Sequence, residues 1–281
     1  MSSSTEAPGL IGIQRAAFDR AERLQRRVSL LQWALAIDAI AAALQRTAIV
    51  VYVLAVIALA LTTAIIVLEQ RVARTRSLGE RVRRMTLIAE GLGEKPTSDE
   101  LLDVGLAAGD MEQEARDRDD PNYFATKTGF GMPRLGEMLE ESAFWTCHLL
   151  RGSEMRAWWR TLILTVIAVA VVLTALPLVQ AEQNLMLGRL ICAITLFIIS
   201  KDVLGAALAY GRAARSVREV MLRLQHCGAQ SWPQDRLMRI VGDYNAAVES
   251  APLPRPGLYQ RDKDRINRLW AVHKALPATA Q

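Results

Sequence analysis

Hydrophobic positions in this chain are concentrated in long uncharged stretches, and polar positions fill the blocks between them. Residues 47–68 and residues 161–179 contain no charged side chain. An α-helix rises about 1.5 Å per residue, so about 20 apolar residues cover the ~30 Å hydrocarbon core of a bilayer. Both stretches therefore predict transmembrane helices.

Two further stretches are apolar except at isolated charges. Residues 28–44 contain one acid, Asp38, and residues 189–210 contain the adjacent pair Lys201 and Asp202 after Arg189 at their start. Each stretch has a length that suits a span, and each neighbours one of the uncharged stretches. The pattern thus predicts two transmembrane hairpins, the first within residues 28–69 and the second within residues 159–210.

The distribution of Lys and Arg decides between three spans and four. Five lie in Met1–Ser29, thirteen between Gln70 and Trp158, and twelve after Tyr210, while the two short links hold one each. Cytoplasmic flanks of membrane spans carry excess Lys and Arg. Four spans put all three basic blocks, and both termini, on the cytoplasmic side. One long kinked helix is the alternative for the first hairpin, because the Gln45-Arg46 link contains no Gly or Pro.

The polar blocks themselves follow a helical period, and no strand pattern interrupts them. Residues 1–27 predict an amphipathic N-terminal helix, residues 70–158 a helical cytoplasmic region, and residues 211–281 a second one. A polar helix is expected over Asp99–Arg118, and Gly/Pro-rich loops at Thr128–Pro133 and Ala251–Gly257. The predicted fold is an all-α membrane protein with four transmembrane helices in two hairpins and a helical cytoplasmic domain.

Composition fits a multi-pass membrane protein. Hydrophobic residues make up 51% of the chain and charged residues 22%, as expected for apolar blocks alternating with charged ones. The three cysteines form no CxxC motif, which indicates reduced thiols rather than a disulfide framework. The first apolar block lacks the small-residue cleavage site of a secretory signal peptide.

Motifs that would indicate catalysis are absent from the sequence. There is no Walker loop, HExxH or GxSxG. The neighbours Cys147-His148 and His226-Cys227 lack the spacing of two to four residues that is usual between paired zinc ligands. We therefore expect no enzymatic activity, no catalytic residue, no metal and no cofactor.

The charges inside the predicted spans have two interpretations. A charge in the bilayer costs several kcal/mol unless it is paired or faces water. Asp38, Lys201 and Asp202 are thus candidates either for bridges within the helix bundle or for the lining of a pore. Lys201 lies about two turns from the end of its span, where a long side chain can extend toward the lipid headgroups.

Several short motifs resemble those of a known family. They are Asp120-Pro121-Asn122-Tyr123-Phe124, Arg134-Leu135, Glu141-Ser142-Ala143-Phe144-Trp145-Thr146, Asp243-Tyr244-Asn245, Ala251-Pro252-Leu253-Pro254 and Leu258-Tyr259. In these motifs the chain is similar to the SMODS-associated four-transmembrane effectors. Those bacterial membrane proteins belong to CBASS-like anti-phage systems and are encoded beside nucleotide second-messenger synthases.

The resemblance implies a function and a set of partners. A neighbouring nucleotidyltransferase or cyclase would make a cyclic nucleotide or oligonucleotide during infection. The effector would bind this ligand, assemble as a homo-oligomer and disrupt the membrane, causing abortive infection. A small ion channel or transporter subunit, and a membrane-anchored sensor or scaffold, are the alternative functions.

A receptor for such a ligand needs cations for phosphates and flat rings for bases. The candidate ligand-binding residues are Tyr123, Phe124, Arg134, Glu141, Trp145, Arg151, Tyr244 and Tyr259. Core packing is the alternative role for Trp145. Arg134 is the preferred phosphate ligand because it follows a Gly/Pro loop close to a helix N-terminus.

Overall fold

A computed structural model describes residues 9–45, 47–120, 123–175, 188, 203–228 and 230–275. Within these ranges the chain is helical and contains no strand, which confirms the predicted all-α class. The α-helices are α1 Leu10–Leu44, α2 Ala48–Leu92, α3 Ser98–Ala108, α4 Glu112–Arg118, α5 Met132–Ala175, α6 Leu204–Gly228, α7 Gln234–Ser250 and α8 Leu258–Ala275. A 3-10 turn, Gly109–Met111, separates α3 from α4.

The chain divides into two compact units. The first unit comprises Met1–Arg23, Val72–Leu150 and Ala213–Gln281, and the second comprises Leu24–Arg71 and Arg151–Arg212. Helices α1, α2, α5 and α6 each contribute residues to both units.

The core of the first unit is built on close contacts between helices. Buried apolar residues of α1 and α2 meet those of α3 and α4, among them Ile13, Ala17, Leu78, Val82, Val104 and Met111. Gly12 allows the closest approach, because a Cβ at this position would lie 2.2 Å from the carbonyl oxygen of Ala115. Small residues on α1 therefore set how near α4 can pack.

The polar helix expected over Asp99–Arg118 is divided into two helices. A capping box starts α3: the Thr97 hydroxyl accepts from the Glu100 N–H, and the Glu100 carboxylate accepts from the Thr97 N–H. Gly109 ends α3 with a φ of 50°, a value that favours glycine. The break lets Val104 and Met111 reach the same core.

Ion pairs fasten this divided segment to α1. Arg20 donates to both carboxylate oxygens of Asp110, at 2.5 and 2.9 Å. Arg23 pairs with Glu114 at 2.5 Å, and Arg118 pairs with Asp19 at 3.0 Å. These groups are largely exposed, so each pair contributes modestly and their number matters more than any one of them.

Trp232 holds the connection between α6 and α7 in an unusual conformation. Ser231 and Trp232 have φ values of 60° and 58°, which are uncommon for residues other than glycine. The Trp232 ring lies over two glycines, so that a Cβ on Gly136 would come within 2.3 Å of it and a Cβ on Gly228 within 2.9 Å. Burial of the ring in this notch offsets the backbone strain.

The second unit has an apolar surface. Its exposed large hydrophobic residues include Leu30, Ile37, Ile49, Tyr52, Val56, Leu59, Leu162, Ile163, Val166 and Ile167. Its buried positions include the small or polar residues Ser153, Ala157, Thr161 and Ala207. Small residues inside and large apolar ones outside are typical of helices packed in lipid.

Threonine hydroxyls in the second unit are satisfied within their own helices. Thr62 donates to the carbonyl of Ala58, Thr63 to that of Leu59, and Thr161 to that of Ala157. Such bonds leave no hydroxyl donor facing an apolar environment.

The structure gives partial information on the predicted spans. Among the described residues one helix, α2, is long and apolar enough to cross a membrane. Helix α1 ends at Leu44 and α2 begins at Ala48, so the chain leaves helical geometry at the predicted first link. Of the span predicted over residues 189–210, only Val203–Tyr210 is described, and Lys201 and Asp202 lie outside the described residues. Asp38 is 9% exposed.

The Trp232 notch makes a prediction about stability. Gly136→Ala should lower the free energy of unfolding by about 1–3 kcal/mol, because the added methyl collides with a ring that has no room to move. Thermal unfolding of the purified protein measures the change. Gly242→Ala is the matched control: this glycine lies inside α7 with nothing within 4 Å of its Cβ position, so alanine should be neutral or slightly stabilising.

The pair between Arg20 and Asp110 predicts a dependence on pH. The hydrogen bonds from Arg20 hold the pKa of Asp110 below its usual value. The pair's stabilisation is therefore present above the unfolded-state pKa of about 4 and is lost as the pH falls through the folded-state pKa. The melting temperature of Asp110→Asn should be lower than that of the wild type at pH 7, and the difference should vanish in acid. A difference that stays constant in acid would contradict the assignment.

Candidate ligand-binding site

A buried arginine lies at the centre of the first unit. Arg83 of α2 is 8% exposed, and its Nη2 atom is 3.0 Å from Glu80 Oε2 and 3.3 Å from the Asn245 side-chain oxygen. The guanidinium carbon lies 5.0 Å from the centre of the Tyr244 ring, a cation–π distance. Its Nε is buried and has no hydrogen-bond partner among the described residues. A donor is therefore available beside the aromatic ring.

Polar side chains surround Arg83 where apolar ones would be expected. Gln14 of α1 is 4% exposed and donates to the Tyr123 hydroxyl at 3.4 Å, while its Oε1 has no partner within the described chain. Glu80 is buried too, and its contact with Arg83 is an ion pair without hydrogen-bond geometry. An unsatisfied buried polar atom costs about 1–3 kcal/mol. Several of them around one point indicate a site that a polar ligand would complete.

Aromatic rings line the same region. Tyr244 is 1% exposed and its hydroxyl lies 3.2 Å from that of Thr146. Tyr123 is half-buried, and Arg15 lies 5.9 Å from the centre of its ring. Trp145 and Tyr259 are also half-buried, with ring centres 5.6 Å apart. Rings from the 123–131 loop, α5, α7 and α8 thus converge near the arginine.

Electrostatic effects confirm that these tyrosines are close neighbours. Burial raises the pKa of Tyr123 to about 12, with smaller contributions from Tyr259 and Tyr244 that Arg15 and Arg83 oppose. Burial also raises the pKa of Tyr244, and Arg83 again opposes the rise. Both phenols are therefore neutral at pH 7 and available as hydrogen-bond donors.

Three side chains of α5 position the loop that carries Tyr123. Glu141 accepts from the Ala125 N–H at 3.1 Å, and Glu137 accepts from the hydroxyls of Thr126 and Thr128. Arg134 donates to the carbonyl of Glu90 at 2.5 Å and to that of Thr128 at 2.8 Å. The loop is thereby attached to both α5 and the end of α2.

The residues predicted from the sequence fall into two groups. Tyr123, Trp145, Tyr244 and Tyr259 lie around the buried arginine, and Phe124 packs edge-on against Tyr123, with ring centres 4.8 Å apart. Arg134 and Glu141 hold the loop. Arg151 is exposed and belongs to the second unit.

Trp145 also makes core contacts, as expected from the alternative prediction that it packs in the core. It packs against the cluster formed by Phe144, Ile266 and Trp270. One edge of the indole therefore belongs to the core, while the ring also faces Tyr259.

Sequence reasoning did not single out the polar residues of the site, Gln14, Arg15, Glu80 and Arg83. The sequence presents Arg83 only as one arginine of the basic segment Gln70–Gly91, for which contact with lipid headgroups and binding of nucleotide phosphates are the two interpretations. One signal was available for α2: Arg76, Glu80, Arg83 and Leu87 are spaced i, i+4, i+7 and i+11, which puts them on one helical face. Leu87 on this face is buried. Charged residues on the same helical face as a buried leucine indicate a buried ionic cluster.

The arrangement suits binding of an anionic aromatic molecule. A guanidinium with a spare donor can hold a phosphate, an amide can read a base edge, and rings can stack on a base. In the described part of the chain, no group of three or more His, Cys, Asp and Glu residues could hold a metal ion.

Comparison of the chain with protein-family models, with curated proteins and with solved structures returned no match. The function is therefore argued from the site and from the surface of the second unit.

The raised pKa of Tyr123 predicts a late step in an alkaline titration. Folding favours the neutral phenol, so this residue's contribution to stability is complete below about pH 10 and is lost as the pH rises toward 12. The ultraviolet absorbance of tyrosinate should reveal a tyrosine that ionises last, and Tyr123→Phe should reduce that step by one residue. If a correctly folded Tyr123→Phe kept the whole late step and lost absorbance from the step near pH 10 instead, this phenol would lie outside a buried site.

Proposed function

We propose that this protein is a membrane effector of a nucleotide-signalling anti-phage system. A cyclic nucleotide or oligonucleotide binds around Arg83 in the first unit, copies of the chain assemble, and the membrane spans disrupt the inner membrane. The ligand comes from a nucleotidyltransferase or cyclase encoded as a genetic partner. The resemblance to the SMODS-associated four-transmembrane effectors and the chemistry of the site support this proposal.

The observation that carries the proposal is the unpartnered Nε of Arg83. A buried arginine whose charge served structure alone would use its donors on the protein, because an unsatisfied buried donor is costly. A phosphate oxygen in line with Nε and Nη2 would satisfy two donors of the guanidinium at once. The same anion would compete with Glu80 for Arg83.

Aromatic side chains beside the arginine favour a nucleotide over a simple anion. Tyr123 and Tyr259 are half-buried rings that can stack on a base, Tyr123 has a neutral hydroxyl, and Gln14 offers an amide oxygen that needs a donor. Exocyclic amino groups and ring N–H groups of bases supply such donors. Inorganic phosphate has neither these N–H donors nor an aromatic ring, whereas a nucleotide combines them with a phosphate in one molecule.

The exposed apolar surface of the second unit supports the membrane part of the proposal. An apolar area of this kind is rare on soluble monomers because it would bind other apolar surfaces. Four spans in two hairpins, with both termini in the cytoplasm, are the arrangement we propose. In this arrangement α1 and α2 provide the spans of the first hairpin, and α5 and residues 189–210 provide those of the second.

One observation favours an alternative in the class of channels and transporters. Asp38 is 9% exposed in the second unit, whereas Ile37 beside it is 65% exposed. An acid that faces the inside of a membrane bundle is a candidate for an ion path. Steady conductance through planar bilayers without any nucleotide would support this alternative.

The proposed site predicts a selective loss of ligand binding. Arg83→Gln should weaken binding of cyclic di- and trinucleotides by roughly 10- to 100-fold, the value of a charge-assisted hydrogen bond to a buried partner. Isothermal titration calorimetry on the purified full chain measures the affinity, and dye release from liposomes measures membrane disruption. Ligand-induced release should fall together with affinity.

Arg84→Gln is the matched control. Arg84 is the next residue of α2, but it is exposed and pairs with Glu249. The control should bind and release dye like the wild type. Equal affinities for the two variants would remove Arg83 from the site, and failure of every cyclic nucleotide to bind the wild type would sink the receptor proposal.

A further inference from the structure

Helix α3 carries leucines on the side that faces away from the core. Val104 and Ala108 are its buried residues, whereas Leu102 is 62% exposed and Leu106 is 73% exposed. With 3.6 residues per turn, positions 102 and 106 lie opposite position 104. Pairs of apolar residues on opposite faces of one helix indicate that both faces are covered in the functional protein.

Two acids flank the exposed leucines. Asp99 and Asp103 are exposed and share this side of α3, at the i and i+4 spacing. We call these four residues, Asp99, Leu102, Asp103 and Leu106, the acidic face. The capping box between Thr97 and Glu100 fixes the start of the helix, so the face is formed before any partner binds.

The charge of the acidic face decides what covers it. Bacterial membranes carry anionic lipids, and carboxylates next to the leucines would repel that surface. The complementary partner is an apolar surface flanked by cations. The first unit contains such a surface on α8.

Helix α8 has a basic side along its second half. Ile266 and Trp270 are buried on another side, and Leu258 is buried at the start of the helix. Arg265 pairs with Asp262 within the helix at 3.4 Å. Arg265, Arg268, Leu269 and Val272 are exposed and lie along one side of the helix, and we call them the basic face. Leu269 is 38% exposed and Val272 is 59% exposed.

The two faces match in length and in order. Asp99 to Leu106 and Arg265 to Val272 each cover seven residue steps, or about 10 Å of helix. Along the chain, each face begins with a charged position and ends with an apolar one. A parallel alignment therefore places Asp99 against Arg265 and Leu106 against Val272.

We infer that the acidic face of α3 binds the basic face of α8 on a second copy of this chain. If the faces pair head to tail, each end copy keeps one unused face, whereas reciprocal pairing would close a two-fold dimer whose size the face variants would equally reduce to a monomer; we infer the head-to-tail arrangement. Assembly therefore continues beyond the dimer, into a ring or a filament. This contact supplies the assembly step of the function proposed above and in that respect rests on it, but it does not involve the nucleotide site.

Two variants and their mixture test the contact. Leu102→Lys with Leu106→Lys disables the acidic face, and Leu269→Lys with Val272→Lys disables the basic face, so that the two disabled faces repel each other in a mixture. Each variant alone should be monomeric, with self-association weakened at least about 100-fold because ammonium groups replace the apolar side chains of the contact. An equimolar mixture retains one working pair of faces and should form dimers and nothing larger.

Mass photometry of the full chain in detergent at matched concentration gives the distribution of sizes. Leu222→Lys on α6 and Lys263→Glu on another side of α8 are controls, since both residues are exposed outside the two faces. The controls should form the same large assemblies as the wild type. The heterodimer in the mixture also demonstrates that both variants are folded.

The cysteine pair Leu106→Cys and Val272→Cys tests the alignment. Oxidation should link copies through these two positions, whereas Asp99→Cys with Val272→Cys should link them at least about tenfold less, because the parallel alignment separates those positions by about 10 Å. The unsubstituted chain is the background control. A monomeric wild type, or face variants that assemble like the wild type, would overturn the inference without affecting nucleotide binding by Arg83.

Discussion

The first unit depends on the burial of one charged group, the Arg83 guanidinium. Removing a cation from water costs several kcal/mol, and the protein recovers this cost only through groups placed around it. Glu80, Asn245 and the Tyr244 ring supply those groups from α2 and α7. The two helices are therefore fixed relative to each other by electrostatics as well as by apolar packing. Because these groups leave the Arg83 Nε without a partner among the described residues, a ligand that bonds to this atom would change the environment of the buried charge.

The two units differ in which kinds of side chain are buried and which are exposed. In the first unit many large apolar side chains are inside, and Gln14, Glu80 and Arg83 are among its buried polar groups. In the second unit many large apolar side chains are outside, and several small or hydroxyl-bearing residues are inside. One chain can contain both because the helices that enter the two units change composition along their length, as α2 does between its uncharged first half and its basic second half. The proposed contrast of solvents, water for the first unit and lipid for the second, would account for the block pattern of the sequence.

Local features of the fold were predictable from the sequence, and non-local ones were not. Gly228 and the Ala251–Gly257 segment end helices for reasons that lie within a few residues, and the helices end there. The break at Gly109 was missed, because a glycine inside a polar helical pattern gives no sign of which core its neighbours must reach. For the site, Tyr123, Tyr244 and Tyr259 were found by residue type. Arg83 was not singled out because its importance comes from Gln14, Asn245 and Tyr244, which are far from it in the chain. Arg134 had the stronger local signal, but the carbonyls of Glu90 and Thr128 occupy two of its donors.

The notch that holds Trp232 constrains how α5 and α6 can move. The indole is inserted between Gly136 and Gly228, and each glycine contacts a different edge of the ring. Sliding α5 past the ring would replace Gly136 at this contact by a residue with a side chain, for which there is no space. The register of α5 against the connection between α6 and α7 is therefore set by two positions that carry no side chain.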